Sequence, residues 1–264
     1  MEELYLVKIG GGVINQPELL DPFLEDFAAI PQKKILVHGG GRLATDLADQ
    51  LEIPVQMIQG RRITDREMLK IVVMVYGGYV NKTVVASLQG HGCNAIGLTG
   101  ADANIIPAHK RIVKDIDYGF VGDFDQINRQ PLLEMLGNGL TPVLAPLTHD
   151  SQGNMLNTNA DTIAASVARE LVNDFRVHLV LCFEKPGVLM KPEDDSTVIP
   201  KLTLELYGDL KKSGEISSGM IPKLDTGFAA RQSGVAEVRI CHANALQEAA
   251  SGEPVGTTLE IERE

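Results

Sequence analysis

The sequence is poor in cysteine, in aromatic residues and in positive charge, and it has no long apolar run. Its 264 residues include three cysteines and no tryptophan. Three widely spaced cysteines, and a start that lacks the basic and apolar regions of a signal peptide, predict a cytoplasmic protein with free thiols. No stretch approaches the run of about 18 apolar residues that spans a bilayer, so we expect no transmembrane segment.

The shortage of basic residues limits the kinds of partner. The chain has 24 Lys and Arg against 35 Asp and Glu, a formal net charge of −11. A general affinity for nucleic acid or for an anionic membrane requires a basic face, so neither partner is expected. Cys and His do not occur at ligand spacing, which argues against a zinc site. Any phosphate that the protein handles must therefore be held by a few local groups.

What the sequence does contain is an alternation of short apolar runs and amphipathic patterns. With 44% hydrophobic and 22% charged residues, the chain fits one large α/β domain or two lobes. The predicted strands are residues 4–9, 35–38, 55–58, 94–98, 140–147, 177–183, 188–190, 238–241 and 257–261, with shorter strands or hairpins at 105–106, 111–113 and 118–121. The predicted helices are residues 17–30, 42–51, 65–89, 129–137, 162–171, 201–212 and 217–233.

The long helix at residues 65–89 has more apolar surface than one face needs. A break is expected at Gly77-Gly78, where two glycines interrupt the pattern. The excess apolar surface indicates either core packing or a subunit interface.

Two glycine turns follow the first two strands. Gly10-Gly11-Gly12 comes after a strand that carries Lys8 near its end, and Gly39-Gly40-Gly41 comes after the second strand. A strand, a glycine loop and a helix form an arrangement in which backbone N–H groups bind an anion. Lys8 then faces a ligand crevice, unless it only extends its ammonium group to solvent at a strand end.

The sequence completes neither of two better-known phosphate-binding motifs. Gly39-x-Gly41-x-x-Ala44 matches the first half of the dinucleotide-binding fingerprint, but the expected acid after the second strand is missing. The P-loop is absent, because Lys82-Thr83 follows Asn81 where a glycine is required.

Three further polar groups stand where elements begin or end. Asn157, Asn159 and Asp161 precede the helix at 162–171 and could share one cleft or merely cap that helix. Arg62, in a glycine-led turn with Arg61, suits a carboxylate or forms a solvated basic turn. Lys223 lies near a helix start, where the dipole disfavours a cation unless an anion is bound in front of it.

The set of two lysines, glycine turns, an arginine turn and an Asn/Asp cluster favours phosphoryl transfer, in which catalysis is mostly positioning and charge neutralisation. In this order and spacing, Lys8-Ile-Gly-Gly11, His38-Gly-Gly-Gly41, Gly60-x-Arg62-x-Thr64, Asn157-x-Asn159-Ala-Asp161 and Gly219-Met-Ile-Pro-Lys223 resemble the amino acid kinase family. The resemblance covers residues 4–261 and is strongest to members that phosphorylate an N-acylated glutamate.

The resemblance implies a fold and a division into lobes. The fold is α/β, a three-layer αβα sandwich with a mostly parallel central sheet. Residues 1–173 would form an N-terminal lobe for the acylated amino acid and for dimerisation, and residues 174–264 a C-terminal lobe for ATP. Only seven residues precede Lys8, whereas arginine-inhibited hexamers of the family carry an extra N-terminal helix. We therefore expect a homodimer without arginine feedback.

The resemblance also implies the reaction and the residues that carry it. The γ-carboxylate of N-acetyl-L-glutamate would attack the γ-phosphoryl group of ATP with Mg²⁺, giving an acyl phosphate in arginine biosynthesis. Lys8 and Lys223 would stabilise the transferring group, and Asp161 would hold both lysines. The backbone amides of Gly10, Gly11 and Gly41 would bind phosphate. The substrate would bind at Gly40, Gly41, Arg62, Asn157 and Asn159.

The family's ATP positions fall on Glu184, Lys185, Pro186, Gly187, Val188, Leu189, Glu215, Ile216 and Ser217. No metal site on the protein is implied, since Mg²⁺ would be coordinated by the ATP phosphates. The chain has Phe183-Glu184-Lys185-Pro186-Gly187 where the family usually has Thr-Asp-Val-Pro-Gly, and its Gly100–Asn104 run also departs from the family pattern. N-succinyl-L-glutamate is therefore an alternative substrate.

Other functions remain open at this point. They are a sibling kinase acting on aspartate, glutamate or a nucleoside monophosphate, a non-catalytic sensor that binds ATP and acylglutamate, and a dinucleotide-binding oxidoreductase.

Overall fold

The apolar runs pair into a central sheet that separates two layers of helices. The structure is a computed structural model that describes residues 1–58, 61–113, 115–216 and 219–261. Its strands are β1 (Glu3–Ile9), β2 (Lys33–His38), β3 (Met57–Ile58), β4 (Arg61–Arg62), β5 (Ala95–Leu98), β6 (His109–Lys110), β7 (Gly122–Asp123), β8 (Thr141–Leu144), β9 (Leu147–His149), β10 (Met155–Asn157), β11 (Arg176–Phe183), β12 (Lys201–Thr203), β13 (Glu237–His242) and β14 (Thr257–Glu260).

The α-helices lie between these strands. They are α1 (Gly11–Ile14), α2 (Pro17–Ala29), α3 (Gly41–Gln50), α4 (Arg66–Val72), α5 (Asn81–Gly90), α6 (Gln130–Gly137), α7 (Ala160–Glu170), α8 (Leu204–Ser213), α9 (Ile221–Gln232) and α10 (Leu246–Ser251).

The central sheet has eight strands in the order β12-β14-β13-β11-β1-β2-β8-β5. Neighbours run parallel except β13 and β14, which are antiparallel. The short strands β3–β4, β6–β7 and β9–β10 form three antiparallel pairs outside this sheet. The predicted α/β class and mostly parallel sheet are confirmed.

Side-chain alternation along the central strands builds two cores. In β1, Leu4 and Leu6 face the layer of α6, α7, α8 and α9, whereas Tyr5, Val7 and Ile9 face the layer of α2, α3, α4, α5 and α10. A strand covered on both faces is apolar at nearly every position, which explains the continuous runs in the sequence. The predicted three layers follow from this packing.

Several predicted boundaries were wrong, for local reasons. The strand predicted at 55–58 forms only the two-residue pair of β3 with β4, and residues 188–190 contribute a single bridge between Leu189 and Val198. The run 140–147 is two strands, because Ala145-Pro146 turn the chain between β8 and β9. Residues 201–203 form β12 before α8 begins at Leu204, where Thr203 caps the helix.

The predicted hairpins of the middle segment were only partly right. The paired strands are β6 and β7, whereas Ile105 and Ile106 are fully buried outside any strand. The helix α10 was not predicted.

Gly77-Gly78 does not break the long helix. A π-helical segment, Val73–Val80, connects α4 to α5 without interruption. The combined segment Arg66–Gly90 has 25 residues and is long and apolar enough, by length and composition alone, to cross a membrane. In this fold its Met68, Ile71 and Val72 are buried in the core, and a core helix passes the same test. Met74 and Tyr79 on the same segment are 52% and 66% exposed.

The sheet is continuous across the predicted lobe boundary at residues 173–174. The first strand after that boundary, β11, pairs in parallel with β1 over its length. The N-terminal part supplies β1, β2, β5 and β8, and the C-terminal part supplies β11 to β14. The assignment of a separate function to each part stays a prediction.

The buried aromatic residues of α2 should dominate the stability of one core. Phe27 is fully buried beneath the sheet, so Phe27→Ala leaves a cavity as well as removing apolar contacts. We expect the free energy of unfolding in urea to fall by about 3–5 kcal/mol. Leu51→Ala, at a position that is 53% exposed, serves as the control and should change it by less than about 0.5 kcal/mol. Equal losses in the two variants would contradict this assignment of the core.

Candidate active site

The candidate site lies at the carboxyl edge of the central strands, where ligands bind in open α/β sheets. Lys8 is the last residue of β1 on the face that carries Leu4 and Leu6, so its side chain projects toward α7. Helix α7 begins at Ala160, two residues earlier than predicted, and Asp161 therefore lies in its first turn. A carboxylate in that position is favoured by the helix dipole.

Asp161 binds two lysines from different parts of the chain. Its Oδ1 lies 2.8 Å from Lys8 Nζ, and its Oδ2 lies 2.6 Å from Lys223 Nζ. The Lys223 ammonium group donates a hydrogen bond to Oδ2. Lys8 and Asp161 are 5% and 8% exposed, so the three charges sit at the edge of the protein interior. The structure thus brings the three predicted catalytic residues together.

The charges of this cluster do not cancel. Burial disfavours the charged form of Asp161, but the neighbouring Lys8 and Lys223 outweigh it and hold the pKa of the carboxyl well below its usual range. Burial, together with the nearby Lys8 charge, lowers the pKa of Lys223 although Asp161 opposes the shift. Two cations against one anion leave a positive excess, which an anionic ligand would neutralise.

The two glycine turns lie against each other beside this cluster. Gly39 donates its N–H to Ile9 O at 3.0 Å, and Gly10 donates to Cys182 O at 3.0 Å. A Cβ on Gly39 would lie 3.0 Å from the nitrogen of Gly11, closer than side-chain carbons are normally found. Gly40 has φ of +151° and lies under the Tyr76 ring, so a side chain would be strained there for both reasons. Glycine is required because the two backbones approach each other so closely.

His38, at the end of β2, fixes the second glycine turn from the opposite face of the sheet. Its Nδ1 donates to Gly39 O at 2.7 Å, and its Nε2 accepts from Asn81 Nδ2 at 3.1 Å. Since a carbonyl can only accept and an amide nitrogen can only donate, these contacts select the Nδ1–H neutral tautomer. Asn81 is held by a second bond to Val143 O at 3.0 Å. Complete burial lowers the pKa of His38 to about 4.

An open cleft of about 210 Å³ adjoins the glycine turn. Arg62 reaches into it from β4 while its Nη2 donates to Gly41 O at 2.8 Å and to Thr45 Oγ1 at 2.7 Å. The guanidinium is thereby oriented from the first turn of α3. The lining of the cleft includes every residue predicted to bind the substrate: Gly40, Gly41, Arg62, Asn157 and Asn159.

The two asparagines of the cleft differ in their bonding. Asn157 lines the cleft while its Nδ2 donates to Thr64 Oγ1 at 3.0 Å. Asn159 is the cap of α7, because its Oδ1 accepts from Thr162 N at 3.0 Å. The capping alternative therefore holds for Asn159 alone.

A second, mainly apolar slot is formed by residues that follow the predicted lobe boundary in the sequence. It is lined by Phe183, Lys185, Gly187, Val188, Leu189, Pro192, Ile216 and Met220. Five predicted ATP positions are in this lining, whereas Pro186 and Glu215 are not. Glu184 instead lies against the backbone of Gly12, where any side chain on the glycine would collide with its carboxylate. Ser217 lies outside the described residues.

Several residues of the site were not predicted from the sequence. Tyr76 and Asn81 are on the long helix, whose pattern indicated only core or interface, and Thr45 is an ordinary residue of α3. Arg111 also lines the cleft, and it comes from a segment that was predicted as a short strand. No spacing signal marked these side chains, because each reaches the site only through tertiary packing.

The neutral state of His38 makes stability depend on pH. The folded pKa of about 4 lies below the ordinary value of 6.5, so stability is fullest above about pH 6.5 and is lost as pH falls toward 4. Between about pH 7.5 and pH 5, this residue alone should lower the free energy of unfolding by about 2 kcal/mol.

His38→Gln should remove that part of the dependence in urea titrations at the two pH values. His91→Gln, at an exposed histidine, is the matched control and should keep the wild-type dependence. Identical pH dependence in wild type and His38→Gln would refute the assignment of a neutral, buried His38.

Comparisons with known proteins agree with this geometry. The model of the amino acid kinase family matches residues 3–242. The acetylglutamate kinase of Cytophaga hutchinsonii is 54% identical over 261 residues, covering 98% of this chain and 99% of the relative. The acetylglutamate kinase of Phocaeicola vulgatus is 53% identical and covers 94% and 96%.

A solved structure shares the fold at lower identity. The N-acetylglutamate synthase of Neisseria gonorrhoeae superposes with a TM-score of 0.84 at 22% identity, covering 99% of this chain and 60% of that one. The family match over most of the chain, with full-length relatives above 50% identity, establishes that this chain belongs to the amino acid kinase family.

Proposed function

We propose that the protein transfers the γ-phosphoryl group of ATP to the γ-carboxylate of N-acetyl-L-glutamate, producing an acyl phosphate and ADP for arginine biosynthesis. The names of full-length relatives support this reaction. The observation that carries it is the bridge of Asp161 to Lys8 and Lys223. That bridge gathers positive charge at one point of an acidic chain, where two anionic substrates must meet.

The two cavities supply the two binding sites of such a reaction. We assign the arginine-containing cleft to the acylated amino acid, with Arg62 on the α-carboxylate and Asn157 as a polar anchor. We assign the apolar slot to the adenine and ribose of ATP, lined by Gly187, Val188 and Leu189. The γ-carboxylate and the γ-phosphate then approach each other beside the lysines.

The chemical step needs positioning and charge neutralisation. A carboxylate oxygen forms a bond to the γ-phosphorus while the bond to the β,γ-bridging oxygen breaks, and ADP leaves with that electron pair. The carboxylate is already ionised at neutral pH, so no general base is required. Lys8 and Lys223 neutralise the transferring oxygens, and Asp161 positions both lysines. Amides around Gly11 and Gly41 donate to phosphate oxygens, whereas the Gly10 N–H is already bonded to Cys182 O.

Mg²⁺ is expected to accompany ATP. The ion neutralises the β- and γ-phosphates when bound, and it prefers to keep waters and phosphate oxygens as ligands. The described residues contain no group of three His, Cys, Asp or Glu that could hold a metal. The donor set therefore fits an ion carried by the nucleotide.

We extend the proposal to the lobes and the compartment. Residues 1–173 carry the cleft and residues 174–264 the slot, so the former binds the acylated amino acid and the latter ATP. All three cysteines, Cys93, Cys182 and Cys241, are buried free thiols, which suits a reducing cytoplasm.

A homodimer is the assembly that we propose. The helix Arg66–Gly90 leaves Met74 and Tyr79 more than half exposed, and apolar side chains of that size on one helix are typical of an interface between subunits. The partner surface would be the same helix of a second copy, as in most symmetric dimers.

Light scattering after gel filtration tests the dimer. The wild type should have twice the 28.6 kDa mass of the chain, and a Met74→Glu/Tyr79→Glu variant should be monomeric because charges would be buried at the contact. Leu206→Glu, at an exposed position on α8, should remain dimeric. A hexameric wild type, or a dimeric double variant, would contradict the proposed assembly.

The activity itself is tested by coupled ADP release with N-acetyl-L-glutamate and by trapping the acyl phosphate as a hydroxamate. Both signals should require ATP and the acylated substrate together. ADP formation with aspartate, glutamate or a nucleoside monophosphate but not with acylglutamate would identify a sibling kinase. Binding of both substrates without ADP would identify a sensor, and a thermal shift with NAD in place of ATP would identify a dinucleotide-binding protein.

The two lysines should carry a large share of the rate. Lys8→Ala and Lys223→Ala should each lower kcat by about 10²- to 10³-fold, the usual cost of one positioned donor. Circular dichroism and thermal melting verify that the variants fold. Lys212→Ala, at an exposed lysine of α8, should retain wild-type kcat. Wild-type turnover in either lysine variant would remove that residue from the site.

A further inference from the structure

Helix α9 presents Lys223 from a first turn that lacks the usual stabilising groups. Its cap position is Met220, whose side chain makes no capping hydrogen bond, and the turn contains no acidic residue. The helix dipole moreover disfavours a cation such as Lys223 in this position. Contacts other than a local cap must therefore hold the turn where Lys223 Nζ reaches Asp161 Oδ2 at 2.6 Å.

The opposite side of this helix end is bound by α8 through Asp225. Residues two apart on an α-helix point about 200° apart, so Asp225 faces away from the lysine cluster. Tyr207 Oη donates to Asp225 Oδ1 at 2.7 Å, and Lys211 Nζ donates to Oδ1 and Oδ2 at 2.8 and 3.0 Å. Tyr207 Oη also lies 3.4 Å from Ile221 O, which belongs to the first turn itself. The end of α9 is thus held from two sides, by Asp161 and by α8.

Of the two donors on α8, the buried phenol contributes more. Tyr207 is 4% exposed, and its ring stacks on Phe228 with 5.3 Å between the ring centroids. The side chains of Lys211 and Asp225 are 40% and 48% exposed, and an ion pair in such a position stabilises a fold little. Burial, together with the hydrogen bond to Asp225, raises the pKa of Tyr207 to about 12. The hydroxyl therefore stays a donor at neutral pH.

The bond between Tyr207 and Asp225 lies outside both cavities. Neither residue contributes to the lining of the arginine-containing cleft or of the apolar slot. Their neighbours in sequence do, because Ile216 and Met220, from the connection between α8 and α9, line the slot. The hydroxyl of Tyr207 can therefore influence the reaction only through the position of α9 and of the groups at its start.

We propose that Tyr207 is a positioning residue for phosphoryl transfer: its hydroxyl, through Asp225, fixes the first turn of α9 and thereby the place of the Lys223 ammonium group. The inference rests on the proposed function and adds to it a residue that contacts neither substrate. Misplacing a positioned group by about 1 Å can lower a rate by about 10²-fold. A looser first turn should therefore lower kcat while substrate binding in the cleft is unchanged.

Tyr207→Phe tests the inference, because it removes the hydroxyl and keeps the stacked ring. With saturating ATP, kcat should fall by about 10-fold, a part of the 10²- to 10³-fold that complete loss of the Lys223 donor costs. The KM for N-acetyl-L-glutamate should equal that of the wild type, since the cleft is not altered. Thermal melting shows that the assay temperature lies below the unfolding transition.

Tyr5→Phe is the matched control for this substitution. Tyr5 is 6% exposed, its ring stacks on His178, and its hydroxyl donates to Ala250 O at 2.8 Å. It faces the helix layer on the other side of the sheet. Tyr5→Phe therefore loses a buried hydrogen bond of the same kind, with a similar cost in the free energy of unfolding, but should retain wild-type kcat.

A double variant separates an effect on Lys223 from a general loss of activity. In a Lys223→Ala background, Tyr207→Phe should lower kcat no further, because no ammonium group is left to position. Wild-type kcat in Tyr207→Phe overturns the inference. So does an equal fall in Tyr5→Phe, or an equal fall with and without Lys223. ADP formation by the wild type keeps the proposed function in each of these cases, whereas no ADP from the wild type rejects both.

Discussion

The bridge that one buried carboxylate makes between two ammonium groups is the interaction on which the site depends. Lys8 comes from the first strand of the sheet, Lys223 from the first turn of α9, and Asp161 from the first turn of α7. Without Asp161, two nearly buried like charges would repel each other, and their cost would appear as lost stability or lost protonation. With it, the two ammonium groups lie close together on one carboxylate. The excess of one positive charge makes the site suited to an anionic ligand, as the proposed phosphoryl transfer requires.

The rest of the fold holds the backbone beside that bridge. The turns Gly10–Gly12 and Gly39–Gly41 approach each other too closely for side chains, and the neutral ring of His38 ties the second turn to Asn81 on the helix beneath the sheet. Preorganised amides and ammonium groups need little rearrangement during the reaction, which is the main source of catalysis in phosphoryl transfer. A cost of this arrangement is a buried histidine that destabilises the fold when acid forces it to take up a proton.

The sequence predicted those features that follow from local pattern. Continuous apolar runs identified β1, β2, β8, β11 and β13, and glycine turns after the first two strands identified the edge of the sheet at which the lysine cluster lies. The family motifs located Lys8, Asp161 and Lys223. The strand at 55–58 and the break at Gly77-Gly78 were wrong, because strand pairing partners and a π-helical connection are set by tertiary context rather than by composition.

Parts of the site could not be predicted from the sequence. Arg111 and Tyr76 reach the cleft from segments whose local patterns indicate a short strand and a core helix, and only the packed structure shows which way each side chain points. Asn159 lines the cleft and its oxygen caps α7, so its predicted contact with substrate stays a prediction. The roles of the ATP positions and of the cleft residues remain predictions that the geometry supports.

The most direct test of the central claim is a crystal structure with ADP, Mg²⁺, N-acetyl-L-glutamate and aluminium fluoride, which imitates the phosphoryl group midway through transfer. The account predicts that the ammonium groups of Lys8 and Lys223 both lie within about 3 Å of the fluoride ligands, with Asp161 still joining them. A complex in which either ammonium group is directed away from the aluminium centre would contradict it.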